Sequence, residues 1–450
     1  MDYTPHIWIL DYVLCFLYII VIYFGAFLYK KEKEKKDPDY KYFLVALSAK
    51  VFGGMGFLLL TVYYWGGGDT YTYYHVSNGF TEFFFQDPSE SLELLFSDGH
   101  NINWDQYQFA YSHSRLLRTT NASFMIVKIT SLVNLISCKS FVVSTIMFAF
   151  LSFLGVWNMY WSFCKVYPHL KKQLLYAIFF IPSVVLWGSG ILKDTVTMAC
   201  IGWIVYSFIN IVLLKRKQGL SLFLIFMSTM TLFYLKPYIL YVLYPALFVW
   251  FQSNLKTLIT SNLFRAMLAP FILITILISS YFLVQKLSEN AERYSLDNLE
   301  DTLEGFQSWH TTVSESKNQS GYTLGDMEFT PMGIVKKIPM AINVTFFRPY
   351  VWEISNASTL LGAIEGVVLL VFSLWVVLTL RLKLFALIFK NKDILFLLLF
   401  AVIFGAVVGI SSYNFGALSR YKMPAQMFYV LALILIFDKR KKQQGKGYIQ

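Results

Sequence analysis

Long apolar runs alternate with short, strongly charged segments along the whole chain, and the runs recur at lengths close to 20 residues. A helix rising 1.5 Å per residue needs about that many to cross roughly 30 Å of hydrocarbon. The pattern predicts membrane-spanning helices at about 7–29, 43–64, 140–163, 174–188, 197–214, 219–235, 238–252, 266–284, 358–380, 394–413 and 424–437. The expected fold is all-α: a polytopic transmembrane helix bundle of about 11 spans in a single integral membrane domain, 1–450. Two long loops interrupt it, at about 65–139 and 285–357. Within the first, residues 122–138 carry Lys128 and are short for a span, which reads as an interfacial or re-entrant helix.

Composition narrows the class. The chain is 56% hydrophobic and only 14% charged, with mean hydropathy +0.53; average soluble domains carry roughly 25% charged residues. A soluble enzyme is excluded. The net charge of +11 would point to nucleic acid in a soluble protein. Here well over half of the Lys and Arg lie in six short segments: KKEKEKKDPDYK (30–41), KVYPHLKKQ (165–173), KRK (215–217), Lys256–Arg265, RLKLFALIFKNK (381–392) and DKRKKQQGK (438–446). All six fall on one side if eleven helices alternate from an outside N-terminus, and the bias of Lys and Arg toward the cytoplasm makes that side the inner one. The two long loops are then outside, the C-terminus inside, and no nucleic-acid partner is expected. The four cysteines, Cys15, Cys138, Cys164 and Cys200, form neither CxxC nor a disulfide framework. MDYTPH has no basic region ahead of the first apolar run, so that run is read as a retained span and not a cleaved signal.

Candidate chemistry gathers where apolar runs meet the outer loops. GGGDTYTYYH (66–75) follows the second span. Its glycines allow close approach of a ligand, Asp69 supplies a carboxylate, and Trp65, Tyr71, Tyr73, Tyr74 and His75 surround it. The plain alternative is a turn aspartate beside an aromatic belt. IPSVVLWGSGILKDTVTM (181–198) interrupts the hydrophobic pattern with Pro182, Gly188 and Gly190, then presents Lys193 and Asp194. It lacks the GxxxxGK[ST] spacing of a phosphate loop. It suits a broken membrane turn whose free N–H groups and lysine attract an anion, or a Lys–Asp pair capping a hairpin. FYLKPYILY (233–241) places Lys236 between two apolar stretches, where a charge is costly and a functional role is the default over simple snorkelling. NVTFFRPYVWEISN (343–356) adds Arg348 and Glu353; SSYNFGALSRYKMPAQ (411–426) adds Arg420, Tyr421 and Lys422. The remaining outer-loop sequence is acidic or neutral, so cations held against the membrane imply a buried anion, such as a lipid-linked phosphate or diphosphate. A carboxylate acting as general base with such cations is the minimum kit for glycosyl transfer from a lipid phosphate donor.

The layout resembles the multispanning GT-C class of glycosyltransferases and the related oligosaccharide and O-antigen polymerases. The residues that carry the resemblance are Asp69 in GGGDTYTYYH and Arg420–Tyr421 in SRYKMP. It implies a bacterial inner-membrane enzyme of polysaccharide or cell-envelope biosynthesis, with Asp69 catalytic. Lys193, Lys236, Arg348, Arg420 and Lys422 would hold the donor anion, and Tyr73, His75, Asp194, Glu353 and Tyr421 would bind the remaining substrate. Lipid-linked sugar, glycan acceptor and membrane lipids are the implied partners. The acidic residue of that class commonly follows the first helix, whereas Asp69 follows the second, and no DxD or ExD pair is present, so no cofactor is expected. A divalent metal stays an alternative through His75, His100, His113 and His310 with Asp69, Asp98 or Asp105. The competing functions are a transporter or flippase for lipid-linked sugars, and a non-catalytic membrane scaffold of envelope assembly.

Overall fold

The structure, a computed structural model, describes residues 7–97, 99, 102–104, 107, 121–254, 321–325 and 331–443. Its described residues are mostly helical, with one isolated antiparallel bridge between Gly321 and Asn414. The predicted span 266–284, most of the second loop, and the metal candidates His100, His113, His310, Asp98 and Asp105 lie outside the described residues. Two compact units emerge, Met1–Pro237 and Tyr238–Gln450.

In the first unit the helices are α1 (Ile9–Glu34), α2 (Phe43–Leu59), α3 (Asp69–Gln86), α4 (Pro88–Phe96), α5 (Asn121–Ile136), α6 (Phe141–Val166), α7 (Lys171–Phe179), α8 (Pro182–Trp187), α9 (Lys193–Ile209) and α10 (Gln218–Leu235). The chain then enters α11 (Pro237–Asn254). The second unit continues with α12 (Pro331–Phe347), α13 (Ala357–Leu380), α14 (Lys383–Lys390), α15 (Lys392–Ser411), α16 (Phe415–Tyr421) and α17 (Met423–Gln443).

Among the described residues seven helices are long and apolar enough to cross a membrane, or eight if the pair α16–α17, bent by 58°, forms one span. The protein is thus a polytopic all-α membrane bundle. The predicted span 174–188 resolves into α7 and α8, each too short to cross, because the helix ends at Phe180 and Pro182 starts another. The run 238–252 forms an apolar helix below spanning length. Within the first long loop α3, α4 and α5 are helical. Asp87 caps α4 by accepting from the Glu90 N–H at 3.0 Å, with Pro88 at the first helical position.

Glycine sets the closest helix contacts. A Cβ on Gly155 of α6 would fall 2.2 Å from the Ala199 carbonyl oxygen of α9, and one on Gly202 of α9 would fall 2.4 Å from that of Gly155. Gly53 of α2 lies equally tight on Val185 of α8, and Gly409 of α15 on Ala341 of α12. Where lipid tails are as apolar as the side chains, this backbone-to-backbone packing replaces the hydrophobic drive. α1 by contrast exposes Phe16, Val21, Phe24 and their neighbours, the surface expected against lipid.

One polar cluster pins the start of α2. Asp37 and Asp39, from the first basic loop, receive Lys165 at 2.6 and 2.7 Å; Lys171 pairs with Asp39, and the Trp161 indole donates to Asp37 at 2.7 Å. Burial opposes ionisation of Asp37, but the Lys165 and Trp161 hydrogen bonds win and hold its carboxyl below the usual range. Two segments assigned to the same side by charge alone, 30–41 and 165–173, therefore meet.

Candidate functional site

Asp69 stands where α2 gives way to α3. The end of α2 widens into a π turn over Leu60–Trp65, closed by Gly66 at φ 63°; Gly67 and Gly68 follow at φ 156° and 121°. L side chains rarely adopt such values. An added Cβ on Gly66 or Gly68 would meet nothing within 4 Å. The glycines set the backbone path between two helices and leave open space beside Gly66 and Gly68. Their path delivers Asp69 as the first residue of α3, exposed, at the end of the helix whose dipole favours a carboxylate.

Tyr71, Tyr73 and Tyr74 after it are all buried. Tyr71 and Tyr74 are core residues, both edge-on to Phe141, and the Tyr74 hydroxyl donates to the Lys139 carbonyl at 2.7 Å. They are not available as sugar platforms. Tyr73, one turn beyond Asp69 and on its side of α3, is buried as well, 2% exposed. The Lys193 ammonium lies 5.7 Å from its ring centroid and donates to the Ser123 hydroxyl at 3.0 Å. α3, α5 and α9 thus bring Tyr73, Ser123 and Lys193 to one place, with Asp69 a turn away. His75 is half-buried, its ring 5.8 Å from that of Tyr74.

Asp194, the neighbour of Lys193, reaches across to the end of α10. It is 3% exposed and takes the Lys236 ammonium at 2.5 Å, across 42 residues. Lys236 sits in the break between α10 and α11, at the point where Pro237 restarts the helix. Two residues the sequence assigned to substrate therefore satisfy each other in a buried pair.

In the second unit Arg348 follows α12 and grips Glu353 with two nitrogens, its Nε 3.0 and 3.1 Å from the carboxylate oxygens. Rings of Tyr322, Tyr350 and Phe415 surround the guanidinium at 5.4–5.9 Å. Burial would raise the Glu353 pKa, but Arg348 and the Tyr350 N–H hold it below the ordinary glutamate value. Arg420 and Tyr421 close α16, half-buried, with the guanidinium 6.0 Å over the Tyr421 ring. Lys422 fills the bend between α16 and α17; it is fully buried, its ammonium 3.5 Å from the Arg348 carbonyl. Lys422 thus touches the main chain of Arg348, whose guanidinium already carries a counter-charge in Glu353.

Two intramembrane charges escaped the sequence reading. Lys50 in α2 is fully buried and donates to the carbonyls of Gly188 (2.9 Å) and Val184 (3.3 Å) at the end of α8. Beside it Trp187 of α8 stacks on Trp65 at 5.0 Å, the residue that leads into the three glycines. Glu365 of α13 is buried and accepts from the Gln426 amide at 2.9 Å. The signal for both was a lone charge inside an apolar run, FLVALSAKVFGG and LLGAIEGVV. Among the described residues no three His, Cys, Asp or Glu side chains gather as metal ligands. Comparison with family models, characterised proteins and solved structures finds no match.

Proposed function

We propose that the protein transfers a sugar from a polyprenyl phosphate or diphosphate donor to a glycan acceptor at the outer surface of the membrane, using the first-unit group Asp69, Tyr73 and Lys193. The single observation that carries this reading is the Lys193 ammonium over Tyr73, one helical turn from an exposed carboxylate. Asp69 accepts the proton of the acceptor hydroxyl as its oxygen bonds to the sugar C1. The C1–O bond to the donor phosphate breaks, and its electron pair stays on the leaving phosphate oxygen, whose charge Lys193 offsets. The acidic cluster around Asp37 precedes α2 and Asp69 follows it, so the basic loops and the carboxylate belong to opposite ends of that helix, in keeping with an outer site.

The test supplies purified protein in liposomes with a labelled polyprenyl-phosphate sugar and a glycan acceptor. Formation of a new glycosidic bond, weakened by Lys193→Gln mainly through donor affinity, is the expected result. Movement of the labelled lipid between leaflets without a new bond would favour the transporter reading and overturn this one.

A further inference from the structure

We infer that α14 is a binding site for anionic phospholipid headgroups. The helix runs directly on from the end of α13, a 24-residue apolar span, and leads directly into α15, a second span. A helix bracketed in this way is held at headgroup level, because both neighbours use up the hydrocarbon thickness.

Its residues sort by spacing. Leu387 is buried against the unit, and α14 packs on α13, α15 and α17. Leu382, Phe385 and Phe389, at positions i, i+3 and i+7, form an apolar stripe that is 83%, 60% and 72% exposed. Lys383 and Lys390, also seven apart, run beside that stripe and are exposed, with Arg381 ahead of them. At the same end of α13, Arg440 of α17 covers the Trp375 ring at 5.1 Å. The nearby Asp393 accepts from the Trp250 indole at 2.6 Å, and Asp438 is buried, so the exposed charge of this end is positive. An apolar stripe with cations along one flank matches a leaflet surface: rings enter the acyl boundary and ammonium groups meet phosphates. Charge complementarity selects the anionic leaflet, and the aromatic stripe selects a lipid over free phosphate.

The full chain in nanodiscs tests it by hydrogen exchange of the amides of 382–390. Slowing of exchange by about tenfold or more is expected in phosphatidylglycerol discs relative to phosphatidylcholine discs. Lys383→Gln with Lys390→Gln, both exposed and outside the core, should remove the difference, and Phe385→Ser with Phe389→Ser should raise exchange in both lipids. Inorganic phosphate added to phosphatidylcholine discs should not substitute. Equal exchange in the two lipids, a difference that survives the double Gln variant, or protection by free phosphate would overturn the inference. None of these readouts depends on sugar transfer.

Discussion

At the residue scale the decisive arrangement is what each cation touches. Lys236 and Asp194 form a buried pair, and such pairs contribute little on balance, yet removing one partner costs about 3–5 kcal/mol by stranding a charge. Asp194→Asn should therefore lower the unfolding midpoint in detergent, and adding Lys236→Met should recover most of the loss; no recovery would mean the two act apart. Arg348 and Glu353 predict a pH effect. Glu353 has a folded pKa below its unfolded one, so its contribution is fully present above the ordinary value of about 4.3 and lost as pH falls through the lower folded value. Stability measured below about pH 4.3 should fall less steeply in Glu353→Gln than in wild type. The sequence singles out Lys236 by the cost of a charge between apolar stretches. It could not show that Asp194 is its counter-charge, because partners 42 residues apart leave no local trace.

At the scale of elements, composition and periodicity made the long spans legible, and local chemistry made the breaks legible: Pro182, Pro237 and the three glycines mark real interruptions. What was missed follows from polarity. α3 carries DTYTYYHVSN, too polar for a span, and was therefore read as loop, although Tyr71 and Tyr74 bury their rings against Phe141. The positive φ of the three glycines is likewise invisible in sequence. Gly66→Val and Gly68→Val should each strain the entry to α3 and cost about 1–3 kcal/mol, seen as a lower midpoint, although a side chain at either site would meet no neighbour. Gly155→Leu should be worse, because its neighbour is the α9 backbone, which cannot yield; a wild-type midpoint would contradict the packing described.

At the scale of the whole molecule, the all-α membrane architecture is readable from hydropathy alone, and one predicted run, 174–188, divides into α7 and α8. The charge rule receives independent support inside the first unit, where basic segments 30–41 and 165–173 share one ion-pair cluster. The function rests on a narrower base, the placing of a carboxylate, a ring and an ammonium at the head of α3 and α9. Its most direct test is turnover of Asp69→Asn, measured as glycosidic bond formation per folded protein with saturating polyprenyl-linked donor. A nearly isosteric change that removes a general base should leave abundance and midpoint unchanged and lower turnover at least about 10²-fold. Turnover equal to wild type at equal abundance would contradict the account and leave Asp69 as the residue that opens a helix.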